Sequence, residues 1–359
     1  MSDQNVGVLP KIVDMNQVIP APRTERVFLT WTIHHSCNYR CSYCFVTTGY
    51  RDVFKDNIYP GTQKWMDVWS RVHDLYGSCI VKIAGGEPFT YPDFMDLVVH
   101  MGHRHFLDFS SNLFWDVGEF TRRMPAKSCR IEPSYHPEFT PDREEFAKKC
   151  LKLKEHGFMG SVHMVGFPPV LDEVIAAKEY FESLGLGAVI LPFRGSHQEK
   201  EYPKSYTDEE KTKLKIAIGA VEKPKGAEAE KPKAESKVEA DHAKHLKDVN
   251  KRYFDWYVGA ENNLKESEIR WCLHGSTYGK IQPNGDVLRC CTPTTPEKRK
   301  ELIIGNILDE NFKLIDGAKP CDISPCFCWK PMLLDQDKTW KPLWRFDTYS
   351  TPEGAEAKK

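Results

Sequence analysis

The stretch HHSCNYRCSYCFV (34–46) places three cysteines, Cys37, Cys41 and Cys44, within eight residues near the start of the chain. Their C-x3-C-x2-C spacing allows the three thiolates to bind three irons of one compact cluster. A structural zinc ion would need a fourth ligand, and the two histidines that open the stretch lie at the end of the preceding predicted strand. A [4Fe–4S] cube normally takes four thiolates, so a set of three leaves one iron open for chemistry.

The composition excludes several classes of protein. The 359 residues carry a net charge of −1 with a pI of about 6.9, so no bulk attraction to nucleic acid or anionic membranes is implied. No apolar run approaches the roughly 18 residues of a membrane span, and the N-terminal stretch lacks the basic and apolar regions of a secretory signal. We therefore expect a cytoplasmic protein that binds neither nucleic acid nor membranes.

The twelve cysteines fall into two groups with a few between them. Three lie at 37–44 and six at 272–328, whereas Cys79, Cys129 and Cys150 fall in predicted strands or helices as small buried hydrophobic side chains. In a reducing cytosol, metal binding explains the grouped cysteines better than disulfides do.

Extended apolar segments alternate with helical segments through the first half of the chain. The segment TQKWMDVWSRVHDLYG, for example, places Trp65, Trp69, Val72 and Tyr76 on one helical stripe. We predict six strands, at 26–34, 79–86, 105–112, 129–135, 161–168 and 187–195. Alternation of this kind produces right-handed βαβ units and a parallel sheet. The predicted fold class is α/β, a partial (β/α)6 barrel like the TIM barrel, with functional groups where strands end.

Composition also divides the chain into five parts. The Lys/Glu-rich segment EKPKGAEAEKPKAESKVEA cannot bury a core, and a Pro-Asn-Gly-Asp turn between two extended stretches predicts a β-hairpin. We expect an N-terminal extension at 1–25, the barrel at 26–195, a helical and partly disordered linker at 196–260, a small cluster-binding domain of β-hairpin and helix at 261–335, and a tail at 336–359.

The cysteine stretch resembles the motif of the radical S-adenosylmethionine superfamily. The resemblance lies in the spacing of the thiols, in Asn38 and Arg40 between them, and in Tyr43 before the last thiol. The stretch also follows the first predicted strand, where that superfamily carries its motif. The resemblance implies that the three cysteines bind a [4Fe–4S] cluster and that Tyr43 contributes to the cofactor site.

A second match to the superfamily is AGGEP (84–88), which ends the second predicted strand. The resemblance implies that Gly85, Gly86 and Glu87 bind the methionyl ammonium of S-adenosylmethionine. The chemistry suits that role, because glycines let the backbone approach a ligand closely and Glu87 offers a carboxylate.

Two further positions match the superfamily less closely. Asn112 ends the third predicted strand where relatives often have a Thr-Asn-Gly turn, but Leu113 replaces the glycine, so the turn geometry is open. Ser134 ends the fourth strand, where relatives often place a serine near the ribose or methionine. Capping of the following helix is the alternative role for both polar residues.

The resemblance implies a reductive cleavage of S-adenosylmethionine. The methionyl amine and carboxylate would bind the open iron, and one electron would break the sulfonium bond to give methionine and a 5′-deoxyadenosyl radical that abstracts hydrogen from a substrate. The cofactors supply this chemistry and the protein supplies position and exclusion of water. A flavodoxin- or ferredoxin-type protein is the expected electron donor.

The later cysteines resemble the SPASM/twitch extension of the same superfamily. Cys272 and Cys290 bracket the predicted hairpin, and a late group completes the set with Cys326 and either Cys321 or Cys328. The shorter twitch form, with one auxiliary [4Fe–4S] cluster, matches the number of thiols better than the full form with two. The adjacent Cys291 is interpreted as structural or spare, and a zinc site is the alternative for the whole group.

The substrate is the least determined feature. Polar residues at strand ends that could orient it are Glu132, His136, His163 and Arg194, of which the Arg194 guanidinium suits a carboxylate or phosphate. We expect a small polar molecule, such as an amino sugar or nucleotide, because the first strand begins near residue 26 and leaves no room for a leader-binding domain. Modification of a ribosomal peptide is the alternative, and a non-catalytic iron–sulfur electron carrier is the alternative from another class.

Overall fold

The structure is a computed structural model that describes residues 14–21, 23, 26–44, 56–219, 270–290 and 296–322, together with the backbone of the strands at 332–334 and 340–342. Cys291, Cys326 and Cys328, and the linker from residue 220 onward, lie outside the described residues. Within the described part of the chain, no helix is both long enough and apolar enough to cross a membrane.

Six parallel strands alternate with helices, as the sequence predicts. The strands are β1 (Phe28–Thr32), β2 (Ile80–Ala84), β3 (Phe106–Ser111), β4 (Cys129–Pro133), β5 (Val162–Gly166) and β6 (Ala188–Pro192). The helices between and after them are α1 (Thr62–Tyr76), α2 (Phe94–Gly102), α3 (Val117–Arg123), α4 (Arg143–Glu155), α5 (Leu171–Ser183) and α6 (Asp208–Ala217).

The strands pair in chain order. β1 to β4 are parallel neighbours in one sheet, β5 and β6 pair in parallel, and single bridges from Ile131 to Met159 and from Ser134 to His163 connect β4 with β5. The predicted α/β fold class, with a partial barrel, is therefore confirmed.

One face of the sheet packs against the helices. Leu29, Trp31 and Ile33 alternate along β1 and its extension into the main apolar core. The Trp31 ring lies 4.7 Å from that of Trp65 and 5.1 Å from that of Trp69, both on the apolar stripe of α1. The stripe seen in the sequence thus decides which side of α1 faces the sheet.

The opposite face of the sheet is polar above an apolar floor. Phe28, Ile80, Phe106 and Tyr278 are in register on four neighbouring strands and form a small buried cluster of their own. Two residues further along the strands, this face carries charged side chains in place of apolar ones, and these are described with the site below.

The C-terminal part of the chain adds three strands to the same sheet. They are β10 (Tyr278–Ile281), β11 (Asp286–Leu288) and β12 (Ile303–Asn306), and the sheet order is β12-β11-β10-β1-β2-β3-β4. The predicted hairpin forms between β10 and β11, with Gly285 at φ +87° in its turn. The sequence did not indicate that β10 would pair in parallel with β1, so that the sheet runs across the predicted boundary between barrel and small domain.

The remaining described elements are short. β9 (Arg270–Cys272), β13 (Lys319–Cys321), β14 (Met332–Leu334) and β15 (Trp340–Pro342) form a second sheet, and α7 (Pro296–Glu301) precedes β12. The expected linker begins with a ribbon of β7 (Gly195–His197) and β8 (Lys200–Tyr202), which the sequence reading missed, before helix α6. Within the predicted N-terminal extension, the Ile19 and Ala318 backbones exchange hydrogen bonds of 3.0 and 2.9 Å.

Candidate functional site

The three cysteines lie in the loop that follows β1, at the carboxyl end of the parallel strands. Cys41 is buried, and Cys37 and Cys44 are half-buried. Cys44 N–H donates to the Cys41 carbonyl (3.1 Å), and Tyr39 N–H donates to the Cys37 sulfur (3.3 Å). Burial, with the neighbouring Cys44 and Cys37, raises the pKa of the Cys41 thiol to about 12. A cationic iron partner would stabilise the Cys41 thiolate, which burial disfavours.

A chain of hydrogen bonds connects this cysteine loop with the Gly-Gly-Glu stretch. The Asn112 side-chain amide donates to Asn38 Oδ1 (2.9 Å), and Asn112 backbone N–H donates to Glu87 Oε2 (2.7 Å). Asn112 is buried between the two partners. The structure therefore brings together three segments that the sequence matched separately to one superfamily.

The Glu87 carboxylate is buried and accepts three hydrogen bonds. Its donors are Ser111 Oγ (2.9 Å), Asn112 N–H (2.7 Å) and Phe89 N–H (3.1 Å). Burial outweighs these donors and raises the pKa of the carboxyl to about 7. In this structure the side chain orients the ends of β2 and β3.

Gly85 and Gly86 pack against the backbone that leads into the cysteine loop. A Cβ atom at Gly85 would lie 2.2 Å from the His34 carbonyl oxygen, and one at Gly86 would lie 1.8 Å from the Ser36 carbonyl oxygen. Gly86 N–H and Glu87 N–H donate to these same two carbonyls, at 2.8 and 2.9 Å. The two glycines are therefore required for contact between protein segments, in addition to any ligand.

The loop after β4 holds the cysteine loop from the other side. Glu138 accepts hydrogen bonds from Ser42 N–H (2.8 Å) and from the Ser42 hydroxyl. His136 Nδ1 lies 3.0 Å from the Tyr43 hydroxyl, and burial lowers the pKa of His136 to about 4. The neutral imidazole can accept a hydrogen bond from the Tyr43 hydroxyl. This contact places His136, a predicted substrate residue, against the cysteine loop. Tyr43 is buried beside it.

The predicted site residue Ser134 follows β4, and Leu113, where the sequence left the turn geometry open, follows β3. Ser134 is half-buried, and its N–H donates to the Ser111 carbonyl (2.7 Å). Leu113 has φ +56° and is buried, so it adopts the left-handed conformation for which a glycine was expected. The turn after Asn112 therefore forms with leucine in place of glycine.

Glu132 and His163 belong to a cluster of charged side chains on the polar face of the sheet. Lys82 donates to Asp108 (2.8 Å) and to Glu132, and Arg130 donates to Asp108 (2.7 Å) and Glu132 (3.3 Å). His163 Nδ1 lies 3.7 Å from Glu132 Oε2. Burial opposes ionisation of Glu132, but Lys82, His163 and Arg130 together hold its pKa below the ordinary value. The charges of the cluster are therefore largely buried and paired with one another on the polar face of the sheet.

The sequence contained a signal for this cluster that the motif search did not use. Lys82 interrupts the apolar strand CIVKIAGG and Asp108 interrupts HFLDFSSN, and a charge inside a buried strand requires a partner. By contrast, no sequence pattern around Glu138 predicts its contact with the cysteine loop. Arg194, the fourth substrate candidate, lies between β6 and β7 and is exposed.

Two of the later cysteines meet across β9 and β13. In the antiparallel register Lys319 lies opposite Cys272, which puts Cys321 on the same face as Cys272. A hydrogen bond with the Cys321 thiol, together with burial, raises the pKa of Cys272, and the Arg289 guanidinium opposes the rise. Cys290 is buried next to Leu288 and Leu302. The paired thiols with a buried arginine nearby suit an anionic metal–thiolate centre.

The fold is shared with solved structures of low sequence identity. Native anSMEcpe with bound AdoMet superposes with a TM-score of 0.50 at 15% identity, covering 79% of this chain and 78% of that chain. Streptococcus suis SuiB gives a TM-score of 0.46 at 14% identity, covering 74% of this chain and 60% of that chain. These solved structures share the fold of this chain, whose cysteine loop and Gly-Gly-Glu stretch resemble the motifs of the radical S-adenosylmethionine superfamily.

A curated relative matches part of the chain. The mycofactocin maturase MftC of Mycobacterium ulcerans (strain Agy99) is 32% identical over 110 residues, which are 29% of this chain and 27% of the relative. The match therefore spans about a quarter of the relative's length. No family model matches the chain.

Proposed function

We propose that this chain is a radical S-adenosylmethionine enzyme that abstracts hydrogen from a polar substrate. The observation that carries the proposal is the hydrogen-bonded connection from Asn38 through Asn112 to Glu87. It ties the cysteine loop to the Gly-Gly-Glu stretch at the carboxyl ends of the strands, where active sites of such barrels lie. An electron carrier without a ligand site has no need for this arrangement.

The residues divide into those that hold the cofactors and those that hold the loop. Cys37, Cys41 and Cys44 would bind the [4Fe–4S] cluster, which when bound supplies the electron that cleaves S-adenosylmethionine to a 5′-deoxyadenosyl radical. Glu138 and His136 support the thiol-bearing loop through Ser42 and Tyr43. A loop held on both sides keeps its thiolates in position without reorganisation, which is the protein's main contribution to such chemistry.

The cofactor site proper would include Tyr43, Gly85, Gly86, Asn112 and Ser134. Glu87 would act mainly by orienting this site, because three protein donors already occupy its carboxylate. Their position at the ends of β2, β3 and β4 supports the role that the superfamily resemblance implies.

The auxiliary cluster would be bound by Cys272, Cys290 and Cys321, with Cys326 or Cys328 from the part of the chain outside the described residues. The contact between Cys272 and Cys321 favours including Cys321. The buried Arg289 offsets negative charge at this centre and donates to the Lys319 carbonyl at 3.3 Å. Such a centre would assist oxidation of the substrate by accepting an electron.

Two substrate classes each have support. The charged cluster around Glu132 favours a small polar molecule, which can be surrounded by polar side chains inside the barrel. The partial identity with a mycofactocin maturase favours the modification of a ribosomal peptide. Small-molecule and peptide candidates are therefore to be tested side by side.

Release of 5′-deoxyadenosine tests the proposal. Anaerobically reconstituted protein, reduced by dithionite or a flavodoxin-type donor, is expected to form 5′-deoxyadenosine from S-adenosylmethionine, whereas a variant with Cys37, Cys41 and Cys44 all changed to Ala is expected to form none. Adding a true substrate should raise the rate. No product from wild-type protein with intact clusters and either reductant would refute the proposal in favour of a non-catalytic electron carrier.

A further inference from the structure

Glu138 contacts the cysteine loop, although no motif in the sequence includes it. Its carboxylate accepts two hydrogen bonds from a single residue, Ser42, one from the backbone N–H at 2.8 Å and one from the hydroxyl. Ser42 directly follows Cys41 and lies two residues before Cys44. The carboxylate is therefore bound to the segment between two of the three proposed cluster ligands.

The turn that carries Glu138 is held in place on both sides. Phe139 N–H donates to the His136 carbonyl at 2.9 Å, which closes the turn around Glu138. On one side, His136 Nδ1 lies 3.0 Å from the Tyr43 hydroxyl. On the other side, Phe139 stacks on Tyr39 with ring centroids 5.2 Å apart. These contacts keep the carboxylate at one position, so it acts on the cysteine loop as a fixed negative charge.

The same contact determines which backbone donors of the loop are available to sulfur. Tyr39 N–H donates to the Cys37 sulfur at 3.3 Å, whereas Ser42 N–H donates to Glu138. Net charge and hydrogen bonds to the sulfurs are among the factors that set the reduction potential of an iron–sulfur cluster. Reduction adds one electron and makes a cluster more negative, which a nearby carboxylate disfavours. A donor that is committed to this carboxylate also cannot stabilise the added charge on a sulfur.

Arg40 supplies the opposite charge in the cysteine loop. It is the only charged residue between the first and the third cysteine, and its exposed guanidinium donates to the carbonyls of Cys37 and Tyr39, the latter at 2.8 Å. Its charge is therefore held at the start of the loop, whereas Glu138 is held at Ser42. Without the Glu138 carboxylate the loop would keep this positive charge and gain a free N–H donor, and both changes favour reduction.

We propose that Glu138 lowers the reduction potential of the [4Fe–4S] cluster that Cys37, Cys41 and Cys44 would bind. The cluster takes one electron from the reductant without a proton, and a lower potential makes the reduced cluster a stronger donor of that electron to the sulfonium of S-adenosylmethionine. As an aid to catalysis this role rests on the proposed function, but the effect of Glu138 on the potential requires only that the cluster is bound.

Anaerobic redox titration of the cluster-loaded protein, with dithionite and mediators, tests the proposal. It follows the electron paramagnetic resonance signal that is absent when Cys37, Cys41 and Cys44 are all changed to Ala. Glu138→Gln keeps the side-chain length and removes the charge. Because solvent screens an exposed carboxylate, we expect a moderate shift of the equilibrium toward the reduced form, about threefold to tenfold, where tenfold is about 59 mV for a one-electron couple. Glu155→Gln removes an exposed carboxylate at the other end of α4 and should leave the potential unchanged.

Further measurements separate the charge of Glu138 from the shape of its side chain. Glu138→Asp keeps the charge and should stay close to wild type, whereas Glu138→Asn, its uncharged counterpart of the same length, should shift as Glu138→Gln does. The difference between wild type and Glu138→Gln should also shrink as salt rises from about 0.01 M to about 1 M, because the Debye length falls from about 30 Å to about 3 Å. A mere change in loop shape would not respond to salt in this way.

Several results would overturn the proposal. They are a wild-type potential in Glu138→Gln with an intact cluster, or an equal shift in Glu138→Asp or in Glu155→Gln. Iron content and thermal midpoints check that each variant is loaded and folded, and if Glu138→Gln loses its cluster, the Asp and Asn variants decide the same question. Because 5′-deoxyadenosine release is measured separately, the proposed function can fail while the effect of Glu138 on the potential stands, and the reverse.

Discussion

Leu113 shows how a single residue can keep a turn that its side chain disfavours. Its φ of +56° costs a non-glycine residue roughly 1–2 kcal/mol. The surroundings hold it there, because its N–H donates to Ser111 Oγ (3.2 Å) and its carbonyl accepts from Lys149 Nζ (2.7 Å). The leucine side chain is buried in the main core, and that burial offsets the strain.

Substitution at this position should invert the usual order of alanine and glycine. Both Leu113→Ala and Leu113→Gly lose the buried side chain, but only glycine is free of the left-handed strain, so we expect the glycine variant to be more stable by about 1 kcal/mol. Leu107, in the regular strand β3, is the matched control, where alanine should be the more stable replacement. Urea unfolding measures both pairs, and the same order at the two positions would contradict the explanation.

Glu87 should make the stability of the protein depend on pH. The pKa of its carboxyl is raised from the ordinary 4.5 to about 7, so the folded protein binds this proton more tightly than the unfolded chain does. The stability that the proton contributes is complete below pH 4.5 and is lost as the pH rises to about 7. Relative to Glu87→Gln, wild type without S-adenosylmethionine should lose stability on the order of 3 kcal/mol across this window.

Urea unfolding at several pH values between 4.5 and 7.5, at fixed ionic strength, measures this difference. Glu155→Gln serves as the control, because Glu155 is exposed at the end of α4 and its replacement should leave the pH profile of stability close to that of wild type. Parallel profiles for wild type and Glu87→Gln would show that the carboxyl titrates normally.

Among the elements, the two loops that meet around the thiols matter most. Tyr39, in the cysteine loop, stacks on Phe139 with ring centroids 5.2 Å apart, and Ser42 donates twice to Glu138. The spacing of the cysteines identifies the cysteine loop in the sequence. The loop after β4 has no comparable motif, because it supports the cysteine loop only if β4 lies in the same sheet as β1 to β3.

Iron content tests the elements that carry thiols. We expect about eight irons per chain, falling to about four when Cys37, Cys41 and Cys44 are all changed to Ala. Cys321→Ala should also lower the content toward about four, since Cys321 contacts Cys272 across β9 and β13.

Cys150→Ala is the matched control for iron content, because this thiol is buried in α4 away from both groups. It should leave the iron content unchanged. A wild-type value near four would remove the auxiliary cluster, and an unchanged content in Cys321→Ala would remove Cys321 from its ligands.

At the scale of the whole molecule, the sheet joins distant parts of the chain. Tyr278 donates its hydroxyl proton to Thr30 across 248 residues of sequence, at 3.1 Å. Ile281 and Val287 of the hairpin belong to the same core as Leu29 and Trp31. The predicted small domain therefore shares its sheet and its core with the barrel.

The sequence by itself determined the local chemistry and the order of the elements. Thiol spacing, the Gly-Gly-Glu stretch and the alternation of strands with helices are short-range patterns, because they depend on residues that lie within a few turns of one another. They sufficed to predict the α/β barrel, and they mark the cysteines as candidate ligands.

Only the tertiary structure decided which distant groups became neighbours. The pairing of β10 with β1, the support of the cysteine loop by Glu138, and the ion pairs of Lys82 with Asp108 and Glu132 all depend on strand order and on which face each side chain occupies. No local pattern encodes the strand neighbours or the face on which each side chain lies. Both are set when the whole sheet packs one face against the helices and turns its other, polar face to the interior of the barrel.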